Sequence, residues 1–252
     1  MSAVRAVLFD VGGTLVDKPD VELGARLAAA LGLGAEHGAT ITDLVLRTGF
    51  ASPYALAERL QERFGLADTP TEVVRELWDA EREGVVEVHD AGMCVAAIAA
   101  AGAKVGVLAN LSMPGLEGFR IACPEIVSRI ETWTVSCEHG DAKPEAALFR
   151  KALDALGVPA AQTLMIGDRL DLDVAPAVAL GMSALWVRRA DAGAASVVTV
   201  DPHAAPPFTA GDDGAIPPGI QVARTLSEVR RMALTWLWAD RRRHGLTAPL
   251  AL

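Results

Sequence analysis

Cysteine, lysine and aromatic residues are all scarce in this 252-residue chain, and each scarcity removes a class of explanation. The three cysteines, Cys94, Cys123 and Cys137, are too few and too scattered for a disulfide framework or a thiolate zinc site. Aromatic residues make up 5% of the chain and form no cluster, so nothing supports a stacking surface for nucleobases. Lysine occurs only at positions 18, 104, 143 and 151, so each ammonium group can be weighed singly. Long hydrophobic runs are missing too. The longest, Ala91 to Ala103, stops at Lys104, short of a membrane span. The first apolar run holds Arg5 and Asp10, which does not fit a secretory leader, and a soluble cytoplasmic protein is expected. An excess of positive charge is absent as well. A net charge of -9 and a pI near 5.1 speak against a coat for nucleic acid or anionic membrane.

What is present is a core. Hydrophobic residues make up 51% and charged residues 22%, enough for one large α/β domain or a core with a small insertion. Val4–Phe9 reads as a buried parallel strand that ends at Asp10, Gly12 and Gly13. The stretch from 17 to 90 is helical in pattern. Leu23, Leu27 and Leu31 form one stripe, and Ser52-Pro53 starts a helix carrying Leu56, Leu60 and Phe64 up to Gly65. Thr69-Pro70-Thr71-Glu72 has the spacing of a capping box, with a stop at Gly84. From Gly92 onward helices alternate with strands at 105–109, 133–135, 163–166 and 184–187. That alternation predicts a doubly wound parallel sheet with helices on both faces. Residues 190–219 read as a long surface loop, 221–223 as an edge strand and 226–238 as a terminal helix. The Arg241-Arg242-Arg243 run fits a solvated helix end.

Ligands of such sheets gather at the carboxyl ends of the strands. Asp10, Asn110 and Asp168 each follow a strand here, and Lys143 precedes a helix. Each alone has a structural explanation: Asp10 or Asp168 capping a turn, Lys143 solvated at the surface. Together and in this order they do not.

The order resembles the haloacid dehalogenase superfamily, over nearly the whole chain. LFDVGGTLVD at 8–17, VLANLS at 107–112, GDAKPEAALF at 140–149 and MIGDRLDLDVAPAVALGM at 165–182 are similar to its four motifs. The resemblance implies a core of residues 1–16 and 91–252 with a helical cap at 17–90, the arrangement of subfamily I. It implies a Mg²⁺-dependent phosphatase acting on a small phosphorylated, anionic metabolite. Asp10 would be the nucleophile, and Asp10, the Gly12 carbonyl and Asp168 would hold the metal with Asp173 close by. Lys143 would neutralise charge, and Gly12, Gly13 and Asn110 would bind the phosphate oxygens. The sequence leaves monomer and homodimer both open, with Trp236 and Trp238 available for packing on the core or on a second subunit.

Two positions depart from the family pattern. The second acid of its phosphatases, two residues after the nucleophile, is here Gly12, and the usual hydroxyl at the end of the second strand is Ala109. A side chain that moves the leaving-group proton is worth about 10² to 10⁴ in rate. The departures leave other readings open: a phosphatase for good leaving groups, a carbon–halogen hydrolase, a phosphonate-cleaving enzyme or a fold kept for binding alone. The third would need a cap lysine, and Lys18 is the only one near. In the cap, Arg47 beside Thr48-Gly49 is expected in a loop that meets an anionic group, and His89 could stand in for the missing acid. The remaining cap groups, Arg59, Arg63, Arg75, Arg82 and His37, read mostly as solvated helix faces.

Overall fold

The computed structural model describes residues 4–17, 21–188, 198–200 and 221–243. Strand β1 (Ala6–Phe9) is buried along its whole length, as a strand covered on both faces must be. Four helices follow: α1 (Leu23–Ala30), α2 (Glu36–Arg47), α3 (Pro53–Phe64) and α4 (Thr71–Glu83). Helix α5 (Ala91–Ala100) leads to β2 (Lys104–Ala109), α6 (Met113–Ala122), α7 (Pro124–Val127), β3 (Thr132–Val135) and α8 (Ser136–His139). Then come α9 (Ala146–Leu156), β4 (Thr163–Gly167), a π-helical turn at Leu170–Val174, α10 (Ala175–Ala179) and β5 (Ser183–Val187). Strands β6 (Val198–Val200) and β7 (Val222–Ala223) and helix α11 (Leu226–Arg243) complete the described chain. No helix among the described residues is long and apolar enough to cross a membrane.

The sheet runs β3-β2-β1-β4-β5, all parallel, and the outer edge of β5 takes antiparallel β6 and parallel β7. The chain winds one way from β1 to β3 and the other way from β4 onward, so the switch in direction flanks β1. Registry aligns the strand ends. Phe9 pairs with Val107 on one side and Ile166 on the other, and β2 and β4 run only two and one residues further, so the carboxyl ends of the three strands lie close together. Alternation along β1 divides the core, because successive side chains leave opposite faces. Val7 and Phe9 join a cluster with α5, α6 and α11, whereas Ala6 and Leu8 join one with α9 and α10.

Helices α1 to α4 form a third cluster of their own around Leu27, Ile41, Leu56, Leu60 and Trp78. The chain leaves and re-enters the sheet side by side, with the Asp17 amide on the Val86 carbonyl and the Val88 amide on the Leu15 carbonyl. Helix α4 lies against α6. A Cβ on Gly118 would run into the Arg82 carbonyl, so glycine is what lets the two backbones touch.

Several sequence expectations need correction. Arg47 is the last residue of α2 and not part of a loop, since Thr48 and Gly49 follow it. The Ser52 cap forms, its hydroxyl accepting from the Ala55 amide, but the Thr69 box does not. Thr69 donates instead to Gln61, and α4 begins without a side-chain cap. The stretch expected as a loop at 190–219 contains strand β6, and its positions 190–197 and 201–219 lie outside the described residues. Lys18 and the side chain of Trp238 lie outside them as well. Trp236 packs against the same cluster as Val7 and Phe9 of β1. The three cysteines are buried and free, and burial pushes the Cys94 and Cys123 thiols up to about 12 and that of Cys137 to about 11.

Candidate active site

The common end of β1, β2 and β4 sets three residues beside one another. Asp10 leaves β1 with its amide tied to the Ile166 carbonyl at 2.8 Å, and its carboxylate is almost wholly buried. Such a buried charge needs partners. Lys143 supplies one: its Nζ donates to Asp10 Oδ1 at 2.6 Å and to Asp173 Oδ1 at 2.6 Å. Thr14 Oγ1 donates to the other Asp10 oxygen at 3.3 Å.

Lys143 is placed by a bracket. Asn110, the first residue after β2, accepts from the Lys143 amide through Oδ1 at 2.8 Å and donates to the Lys143 carbonyl through Nδ2 at 2.9 Å. The side chain expected at a phosphate oxygen therefore fastens the lysine loop. Burial alone would favour a neutral amine, but the two carboxylates outweigh it and hold the Lys143 pKa well above the usual lysine value. Asp173 is fully buried, which pushes its carboxyl upward against the pull of Lys143. Its second oxygen accepts from the Arg169 amide at 2.9 Å.

Asp168 follows β4, and its carboxylate rests over Gly13. Gly13 has φ of 85°, and a Cβ there would collide with that carboxylate. The Gly13 amide donates to the Val16 carbonyl at 2.7 Å, so its contribution is close approach rather than anion binding. Ligand oxygens of Asp10, Asp168 and Asp173 lie within 4.8 Å of one another. Hard carboxylate oxygens gathered at that spacing, beside the Gly12 backbone, are the donor set that Mg²⁺ takes. The residues fit the ion.

A cavity of about 220 Å³ opens over these groups. Its floor includes Asp10, Gly12, Asn110, Ser112, Lys143 and Asp168, and its roof comes from Glu22, Leu23 and Gly24, from Thr42, Val45 and Leu46 of α2, and from Glu81 of α4. Nothing lies within 4 Å of where a Cβ on Gly12 would stand. Arg47 is elsewhere. It ion-pairs with Asp43 and with Glu145 at the start of α9, and it borders a separate surface hollow. His89 points outward with its side chain 94% exposed, beside Asp90, so it does not reach the cavity. Sequence reasoning missed Ser112, whose buried hydroxyl caps α6, and Glu81, hidden among the many charges of α4. The signal for Ser112 is a Ser followed by Pro114 in a first helical turn.

A profile of haloacid dehalogenase-like hydrolases matches residues 4–181, and the chain belongs to that family. Among characterised relatives, it is 29% identical over 155 residues to phosphoserine phosphatase from Thermus thermophilus, covering 62% of this chain. That match spans 59% of the relative, less than two thirds of its length. It is 26% identical over 197 residues to glyceraldehyde 3-phosphate phosphatase from Pyrococcus abyssi, covering 73% of this chain and 82% of the relative. Among solved structures, a family enzyme from Bacteroides thetaiotaomicron in complex with magnesium and inorganic phosphate superposes with a TM-score of 0.56. It shares 18% identity and covers 76% of this chain and 96% of the other, a likeness of fold.

Proposed function

We propose that this protein is a Mg²⁺-dependent phosphatase that transfers a phosphoryl group from a small metabolite to Asp10 and then to water. The observation that carries the reading is the buried contact of Lys143 with both Asp10 and Asp173, set beside Asp168 under the cavity. A carboxylate oxygen of Asp10 attacks phosphorus, the bond to the leaving oxygen breaks, and an aspartyl phosphate forms. Water then attacks that phosphorus, releasing phosphate and restoring the carboxylate. Lys143, charged across the working pH range, offsets negative charge on the nucleophile and on the group in transfer. Asp10, Asp168 and the Gly12 carbonyl would hold the Mg²⁺, with Asp173 behind them steadying Lys143. When bound, the cation supplies positive charge between a carboxylate and a phosphate dianion that would otherwise repel.

The turn from Asn110 to Ser112 and the Gly12 backbone frame the phosphate. Residues 17–90 act as a cap that shapes the remainder of the cavity, whose volume suits a small leaving group. Names of relatives support phosphomonoesters as the substrate class without choosing one.

Phosphate release from a panel of phosphomonoesters and acyl phosphates, with Mg²⁺ and with EDTA, tests the reading. Asp10→Asn should lower kcat/KM by roughly 10⁴- to 10⁶-fold while leaving the fold intact. No release from any member of the panel by the unaltered protein would overturn it in favour of a binding role.

A further inference from the structure

The missing acid at position 12 leaves a chemical question: which group gives the leaving oxygen its proton? We propose that Glu81, on α4, is the proton carrier of this cavity, an inference that rests on the phosphatase reading. The other ionisable groups lining the cavity are committed. Lys143 holds Asp10 and Asp173 together, and Asp168 belongs to the acid group beneath them. Arg169 is clamped by both oxygens of Asp171 at 2.9 and 2.7 Å, and a guanidinium does not give up its proton. Two carboxyls remain, Glu22 and Glu81. Glu22 is solvent-exposed at the start of α1, whereas the Glu81 side chain is 16% exposed.

Glu81 is also anchored at the wall of the cavity next to α6. The neighbouring Arg82 carbonyl abuts Gly118 of α6, and Glu81 Oε1 is 3.8 Å from where a Cβ on Gly115 would stand, so the carboxyl reaches the core side of the cavity. Arg26 of α1 donates to Glu81 Oε2, leaving Oε1 as the oxygen without a bond to that arginine. Burial raises the Glu81 pKa, Arg26 opposes the rise and nearby Glu22 adds to it, so the carboxyl holds its proton to a higher pH than a surface glutamate does. The open space over Gly12 is where the family acid would have stood, and it lines the same cavity.

The proton balance closes. As Asp10 bonds to phosphorus, the electron pair of the breaking P–O bond moves to the leaving oxygen, which takes the Glu81 proton and departs as an alcohol. Glu81, now a carboxylate, accepts a proton from the water that attacks the aspartyl phosphate, and Asp10 leaves as carboxylate with inorganic phosphate.

The test is a comparison of kcat/KM for p-nitrophenyl phosphate, whose leaving group needs no proton, with that for glycerol 3-phosphate, whose alkoxide does. Glu81→Gln should cost about 10² or more on the alkyl ester and far less on the aryl ester. Arg26→Gln breaks the same ion pair but keeps the carboxyl, and it should show no such split. Gly12→Asp added to Glu81→Gln should restore the alkyl activity, since the space over Gly12 accepts a side chain. Equal losses on both esters, the same split in Arg26→Gln, or full alkyl activity in Glu81→Gln would overturn the role of Glu81 while leaving the phosphatase reading in place. An unaltered protein that hydrolyses the aryl ester and not the alkyl one would overturn it as well. An unaltered protein inactive on both would instead remove the reading beneath it.

Discussion

Two ion pairs in this protein have the same length and opposite significance. Lys143 meets Asp10 at 2.6 Å in the sheet core, and Arg47 meets Asp43 at 2.6 Å on the surface of the helices that precede β2. The lysine side chain is 3% exposed and its partner 8%, while the arginine and its partner are 32% and 65% exposed. In the core, water cannot replace a lost partner, so each group holds the others in position. On the helices, water and salt can do so at once. The core charges form a frame fixed by one another, and exposed surface charges such as those of Arg47 and Asp43 form an exchangeable layer. Chemistry that needs placement to a fraction of an ångström calls for charges held as firmly as the first.

The largest effect should come from breaking the frame. Lys143→Met would strand two buried carboxylates, and removing one partner of a buried pair costs about 3 to 5 kcal/mol. Chemical unfolding in EDTA measures this without interference from bound metal. The pH dependence has a definite sign. In the unaltered protein the Lys143 pKa is raised on folding, so its contribution is fully present below the ordinary lysine value of about 10.4 and is lost as pH rises through the raised value. In the variant the buried Asp173 carboxyl loses the ammonium that offsets its burial, so the deficit should shrink as the pH falls through the raised range of that carboxyl. A deficit independent of pH would mean that packing, rather than charge, is what Lys143 supplies.

This same division decides what could be read from the sequence. The frame is legible because its residues follow short apolar runs: Asp10 after β1, Asn110 after β2, Asp168 after β4. A parallel sheet then brings those ends together whatever lies between them. The helices are legible in their stripes, as with Leu56 and Leu60 of α3, and illegible in their charges. Glu81 follows Leu77 and Trp78 by four and three residues, on the apolar stripe of α4, but its partner, Arg26 of α1, cannot be read from α4 alone. Arg47 precedes Thr48 and Gly49, which punctuate the chain, and the end of α2 looks like a loop for that reason. Helix α6 carries Pro114, Gly115 and Gly118, which lower its local propensity, and only contact with α4 explains the last of them. Asn110 shows the limit within the frame itself. Its place at the strand end is visible, but that both its amide atoms grip the Lys143 backbone depends on a residue 33 positions away.

A smaller effect sharpens the comparison inside the helical layer. Ser52→Ala removes the oxygen that accepts from the Ala55 amide at the start of α3. Loss of such a cap costs about 1 kcal/mol, which for a chain of this size lowers Tm by roughly 2 to 4 °C. The acids under the cavity do not touch α3, so kcat/KM for the aryl phosphate should stay as it was; thermal unfolding and steady-state assays on one preparation check both halves.

The smallest effect is the most discriminating, because Arg47 joins the two regions. Its guanidinium reaches Glu145 at 2.7 Å and the Gly140 carbonyl at 3.2 Å, next to the lysine loop but outside the cavity. If it bound substrate, Arg47→Ala would raise KM severalfold or more. As an exposed tie it should leave KM unchanged and cost about 0 to 1 kcal/mol in unfolding. The hydrogen bond from Arg47 keeps Glu145 below the usual glutamate pKa, so the tie is present above the ordinary glutamate range and fades as pH falls through the lowered value. Salt should erase it too, since at about 1 M ionic strength charges this exposed are screened within about 3 Å. The variant and the unaltered protein should therefore unfold together in high salt and differ slightly in low salt. A difference in KM that survives high salt would move Arg47 out of the exchangeable layer and into the site.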